Sequence, residues 1–206
     1  MKSISFRTLV ATAGVAVACL TMTPSPRAAD VIVRPFQRFV AKTPFVGDPG
    51  SPGRVDIIVE RWSTDRDCDD LGGALTLRGP DGLLPGLHQL KLRAGVVLIP
   101  GVQNAGARAL VRRSVNLFFA HQVETPKGRQ LIVATDRPLA FGLPTVEWPA
   151  DYDFSLLDIR FDADETGIGK VATAASVAYN KSRNTIEAAN FDALPVRLIE
   201  VKPAKL

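Results

Sequence analysis

Residues 60–75, "ERWSTDRDCDDLGGAL", gather five carboxylates and one of the chain's two cysteines into sixteen positions. Asp65 and Asp69 stand one helical turn apart, with Glu60 just before them, so their oxygens could converge on a hard divalent cation. Cys68, near a helix N-terminus, could be a nucleophile, because that position favours a thiolate. The same residues oppose both readings. Acids in a first turn complement the helix dipole without any ligand, and Asp67 and Asp70 point elsewhere at about 100° per residue. The flanking aspartates raise a thiol pKa, and Cys68 shares its helical phase with Leu71 and Leu75, which turns it towards a core. The stretch reads first as a helix start.

The two histidines are the next candidates. His121 keeps phase with Phe119 and Val123, so Phe119 and His121 face an apolar side and could line a ligand pocket. Joined with Glu60 and Asp65, His121 would complete the set that a secreted, metal-assisted hydrolase needs. His88 lies beside Leu84 and Leu87, and no HxH, HExxH or HxxxH spacing links the two histidines as zinc ligands would be linked. In "DADETGIG", residues 162–169, Asp162, Asp164, Thr166 and Gly167 match the front half of a calcium loop. The twelfth position is Thr173 where a bidentate Glu belongs, so the stretch reads as a hairpin turn and leaves Asp162 and Asp164 as weak metal candidates. No serine has a GxSxG context, and "GDPGSPG" leads into no helix that could cradle a phosphate. No pattern asks for a cofactor, and the enzymatic reading is the weaker one.

The ends and charge of the chain bound its setting. Lys2 and Arg7 precede the apolar run "LVATAGVAVACL", residues 9–20, which is short for a stable membrane span and reads as a signal peptide over residues 1–29. "AVAC" gives an alternative, a lipid anchor at Cys19. Cleavage near Ala29 removes Lys2, Arg7 and Arg27 and no acids, turning 25 basic against 21 acidic residues into 22 against 21. A near-neutral chain without basic tracts among aromatics excludes nucleic acid as a partner. The expected location is periplasmic or secreted, with no transmembrane span in the mature chain. Cys68 is then the only cysteine, so no internal disulfide is available and packing alone must hold the fold.

The elements follow from periodicity. Residues 30–53 end in the proline- and glycine-rich "TPFVGDPGSPGR" and read as a leader or linker, with one β-rich domain over 54–206. "RVDIIVERWS" alternates as a strand; Ser63 or Thr64 can cap the helix that follows, and it stops at "RGP". "DGLLPGLHQLKL" gives a second helix that Pro85 kinks or delays. Then come the strands "GVVLIPG" and "ARALVRRSVNLFFAHQVE", the turn "TPKGR", and "QLIVATDRP". Four more, "FSLLDIRFD", "KVATAASVAYN", "TIEAANF" and "PVRLIEVK", are joined by polar turns. The fold class is α+β, mainly antiparallel β: about eight strands as a curled sheet, barrel or sandwich, with a two-helix insertion after the first long strand. Small residues Ala172, Ala174, Ala175 and Ala178 opposite Phe118 and Phe119 could leave room inside for a ligand.

The segments "ERWSTD", "ATDRP", "GIGK" and "PVRLIEVK" resemble those of uncharacterised secreted bacterial proteins. That resemblance implies a one-domain exported protein and brings no activity with it. The expected function is a non-enzymatic envelope domain that binds an apolar small molecule or a protein partner.

Overall fold

The computed structural model describes residues 36–44, 53–99, 113–139, 153–172, 175–191 and 196–205. Residues 1–29, read above as a signal peptide, with Cys19, "GDPGSPG", and Ala109 and Val111 of the expected long strand lie outside the described residues, as do Thr173, Ala174 and the side chains of Ala172 and Ala175.

Eight antiparallel strands close into a barrel. They are β1 (Gln37–Thr43), β2 (Gly53–Val59), β3 (Gly95–Ile99), β4 (Arg113–Thr125), β5 (Gly128–Thr135), β6 (Ser155–Phe161), β7 (Gly167–Ala172) and β10 (Val196–Ala204). Each pairs with the next, and β10 returns to β1, so no barrel edge stays open. Two insertions interrupt the meander. Between β2 and β3 stand α1 (Asp65–Arg78), a 3-10 turn (Gly79–Gly82) and α2 (Leu83–Gln89); between β7 and β10 the strands β8 (Ala175–Asn180) and β9 (Thr185–Phe191) form a separate hairpin.

The antiparallel class and the helical insertion are as the sequence implies, and two details differ. Residues 37–43, read as leader, form β1: Phe39 and Ala41 point inward and are fully buried while Arg38 and Lys42 point out, the alternation of a strand with one wet face. The domain therefore begins before Arg54. "KVATAASVAYN" is two strands, since β7 ends at Ala172 and β8 pairs only with β9.

The barrel is filled. Phe39, Ile57, Leu117, Leu131, Leu157 and Leu198 occupy its interior and are fully buried or nearly so, as side chains fill other eight-stranded barrels. Gly167 and Gly169 face inward in "GIGKV" because bulk comes from elsewhere: a Cβ on Gly169 would stand 2.9 Å from Ile159, and one on Gly167 2.9 Å from Phe161. One end is closed by Arg129, whose guanidinium lies 4.5 Å from the centre of the Phe161 ring and pairs with Glu165 at 2.7 Å.

A second apolar layer covers the outside of β4, β5 and β6. A β-bulge between Leu117 and Phe119 flips the facing of β4, so Leu117 points into the barrel and Phe119 points out. Phe119, Ile132, Ala134 and Leu156 meet Cys68, Leu71, Leu83 and Leu87 of the helices and Val177 and Ile186 of the hairpin. Thr64 caps α1 with a capping box: Asp67 N–H donates to Thr64 Oγ1 at 3.2 Å, and Thr64 N–H to Asp67 Oδ2 at 2.8 Å. Ser63 instead ties this segment to β4, its N–H donating to Ala120 O at 2.7 Å and its Oγ accepting from Ala120 N–H at 3.1 Å. Gly72 lets α1 approach the hairpin, because a Cβ there would stand 2.6 Å from the Tyr179 ring.

Candidate functional site

The side chains picked out by their chemistry do not converge on one another. Glu60 is held by Arg93 through two contacts of 2.9 and 3.0 Å. Asp65 is exposed at the head of α1. His121 turns to Cys68, with Nδ1 3.5 Å from Sγ, and its ring stacks 6.0 Å from that of Phe119. Among the described residues, no group of three or more His, Cys, Asp and Glu side chains could hold a metal ion. Glu60, Asp65 and His121 thus make no metal set. Phe119 is fully buried under the helices and offers no surface to a ligand, because the bulge turns it out of the barrel into a packed layer.

The unforeseen pair is Cys68 with His121, and its electrostatics oppose a nucleophile. Cys68 is 0 % exposed. Burial first, and then the charges of Asp65, Asp67 and Asp69, push its thiol up to about 12. A thiol that keeps its proton across the neutral range is a poor attacking group, whatever imidazole stands beside it. Burial also works against the Asp67 carboxylate, but the Thr64 backbone N–H and the Arg61 guanidinium, 2.9 Å away, outweigh it and hold Asp67 below the usual carboxylate range. Asp67 is thus spent on capping and on Arg61, and Asp69 accepts from the Tyr179 hydroxyl at 3.1 Å.

"DADETGIG" is the turn between β6 and β7. Asp162 Oδ1 accepts from the N–H groups of Asp164 and Thr166 at 3.1 and 2.9 Å, so Asp162 closes the turn, while Asp164 is exposed.

The feature that single residues do not announce is the outer face of β6, β7 and β10. Registered outward across these strands, Asp158 stands opposite Lys170 and Lys170 opposite Arg197; one step along, Arg160 stands opposite Ile168. Ile168 is 69 % exposed and Ile199 on β10 36 % exposed. Together these side chains line a groove of about 360 Å³. Arg160 and Ile168 also border a second hollow of about 580 Å³, which runs to Lys127 in the β4–β5 turn and Arg183 in the β8–β9 turn. The Gly-Ile-Gly alternation held the one sequence signal: glycines facing in place Ile168 facing out.

Among the described residues no helix is long and apolar enough to cross a membrane. Charged side chains line the outside of β6, β7 and β10, beside the apolar layer that covers the outside of β4, β5 and β6. Compared with known family models, curated proteins and solved structures, the chain shows no match.

Proposed function

We propose that the chain is an exported, non-enzymatic domain that binds a protein partner on the outer face of β6, β7 and β10. The observation that carries this reading is the contrast between a filled interior and a bare face holding Ile168 and Ile199 in water. An apolar small molecule would need an enclosing cavity, and the barrel interior is occupied by its own side chains. An open groove suits a partner that brings its own surface to complete the burial. The buried, proton-holding Cys68, the exposed Asp65, and Glu60 and His121 turned to different partners support a binding role over a catalytic one.

The test is a photo-crosslinking amino acid placed at position 168, at position 199 and, as a control, at position 77, where Leu77 is 84 % exposed on α1. In intact cells of the native source, one discrete adduct is expected from 168 and 199 and none from 77. Equal labelling from all three positions would overturn the reading. So would native mass spectrometry of the purified protein, if it found a retained apolar molecule that Ile168→Ser does not release.

A further inference from the structure

We infer that the occupant of this face is a second copy of the same chain, related to the first by a two-fold axis along β7. The inference rests on the partner-binding reading above and names the partner.

The ionic groups of the face are largely satisfied within one chain. Asp158 stands opposite Lys170, accepts from Gln130 at 2.8 Å and pairs with Arg160 at 3.4 Å, while Glu200 holds Lys42 at 2.6 Å. The face therefore asks for no counter-ion, and what it leaves uncovered is apolar: Ile168 and Ile199. A partner of one charge sign gains little here. A partner with the same alternation of charges can seat its apolar centre on this one without setting unlike surfaces against each other. From residue 30 onwards, 22 basic residues stand against 21 acidic ones, so two copies approach without net repulsion.

The register makes the alternation self-complementary. β7 is the middle strand, and the strands on either side of it carry opposite charges row by row. In one row Asp158 on β6 and Arg197 on β10 flank Lys170. In the next, Arg160 on β6 stands opposite Ile168. On the other side of Ile168 lies the β10 bulge with Ile199 and Glu200, between the pairings of Leu198 with Gly169 and of Val201 with Gly167. Each of these strands already has both its neighbours in the closed barrel, so copies meet face to face and not edge to edge. A two-fold axis along β7 lays β6 of one copy over β10 of the other. Asp158 then faces the partner's Arg197 and Arg160 faces the partner's Glu200, each pair occurring twice, and Ile168 meets Ile168 at the axis. Lys170 meets its own copy there, with an Asp158 beside each. Arg160, Arg197, Ile199 and Glu200 are all exposed and free to make these contacts.

The experiment is sedimentation velocity of the mature protein from about 1 to 200 µM, with circular dichroism checking the fold of each variant. The mass is expected to rise to twice that of the chain, and Ile168→Asp to hold it at one. Arg160→Glu alone sets carboxylates against each other across the interface, and Glu200→Arg alone sets cations against each other. Each is expected to weaken self-association about tenfold or more. Mixed one to one, the two variants restore both pairs, and a heterodimer is expected. Dimers that survive Ile168→Asp, or variants whose mixture stays monomeric, would overturn the inference. A protein that stays monomeric throughout, while position 168 gives an adduct of another mass in cells, would overturn the second copy and leave the partner-binding reading standing. Monomers together with no adduct from 168 or 199 would remove both readings.

Discussion

The barrel has two outer faces treated in opposite ways. On β4, β5 and β6 the outward side chains Phe119, Ile132, Ala134 and Leu156 lie under two helices and a hairpin. On β6, β7 and β10 the outward side chains Arg160, Ile168, Lys170, Arg197 and Ile199 face solvent. Strand β6 belongs to both: Leu156 is covered and Arg160 is bare, four residues along one strand. The difference locates stability and binding separately, since buried apolar area drives folding while an uncovered apolar and cationic strip does little for it.

The largest expected contrast is chemical. In a Cys19→Ser chain the only thiol is Cys68 on the covered side, and the rise from 9.0 to about 12 leaves roughly a thousandfold less thiolate in the folded than in the unfolded protein at pH 8. Labelling with a disulfide reagent is expected to track global unfolding. Rapid modification of the native protein at pH 8 would show that the covered layer opens locally. The sign of the linked pH dependence follows from the same shift. The folded pKa is raised, so the contribution is whole below pH 9 and is lost as the pH climbs towards 12, where the unfolded chain ionises first. Relative to Cys68→Ala, the cysteine protein is expected to lose stability only in that window.

Next in size is truncation. Leu71→Ala removes a fully buried side chain from the covered layer and is expected to cost about 2–5 kcal/mol in urea denaturation. Ile168→Ala on the bare face is expected to change stability by less than about 0.5 kcal/mol. Similar losses at both positions would mean that the bare face is not bare in solution.

The neighbouring glycines of α1 divide the same way. A Cβ on Gly72 would press into the Tyr179 ring, so Gly72→Ala is expected to cost about 1–3 kcal/mol and to loosen the β8–β9 hairpin from the helix. A Cβ on Gly73 meets open space, and Gly73→Ala is expected to stabilise by about 0.5–1 kcal/mol through helix propensity. Thermal melts of the two variants should move in opposite directions.

Local chemistry was legible in the sequence where it is local in space. The cap is local and was narrowed to Ser63 or Thr64, of which Thr64 serves, and Cys68, Leu71 and Leu75 announce the buried stripe by their spacing. Strand β1 was hidden by its neighbours: the proline-glycine run after Thr43 outweighed the alternation of Phe39 and Ala41 with Arg38 and Lys42. The β4 bulge was illegible because "VNLFFA" is apolar on both faces, so no polar residue marks where the phase flips. The groove was illegible for a different reason. Lys170 meets Arg197 only through the pairing of β7 with β10, and the hairpin inserted between those strands removes any local sign of it.

The smallest expected effect bears most directly on the bare face. Arg197→Glu places a carboxylate opposite Lys170, replacing repulsion across the β7–β10 pair with attraction, and is expected to raise stability by about 0.2–1 kcal/mol at low salt. The gain should fade at 0.5 M salt, because both side chains are exposed and the Debye length shrinks to a few ångströms. A loss of stability instead would mean that Arg197 is a structural partner.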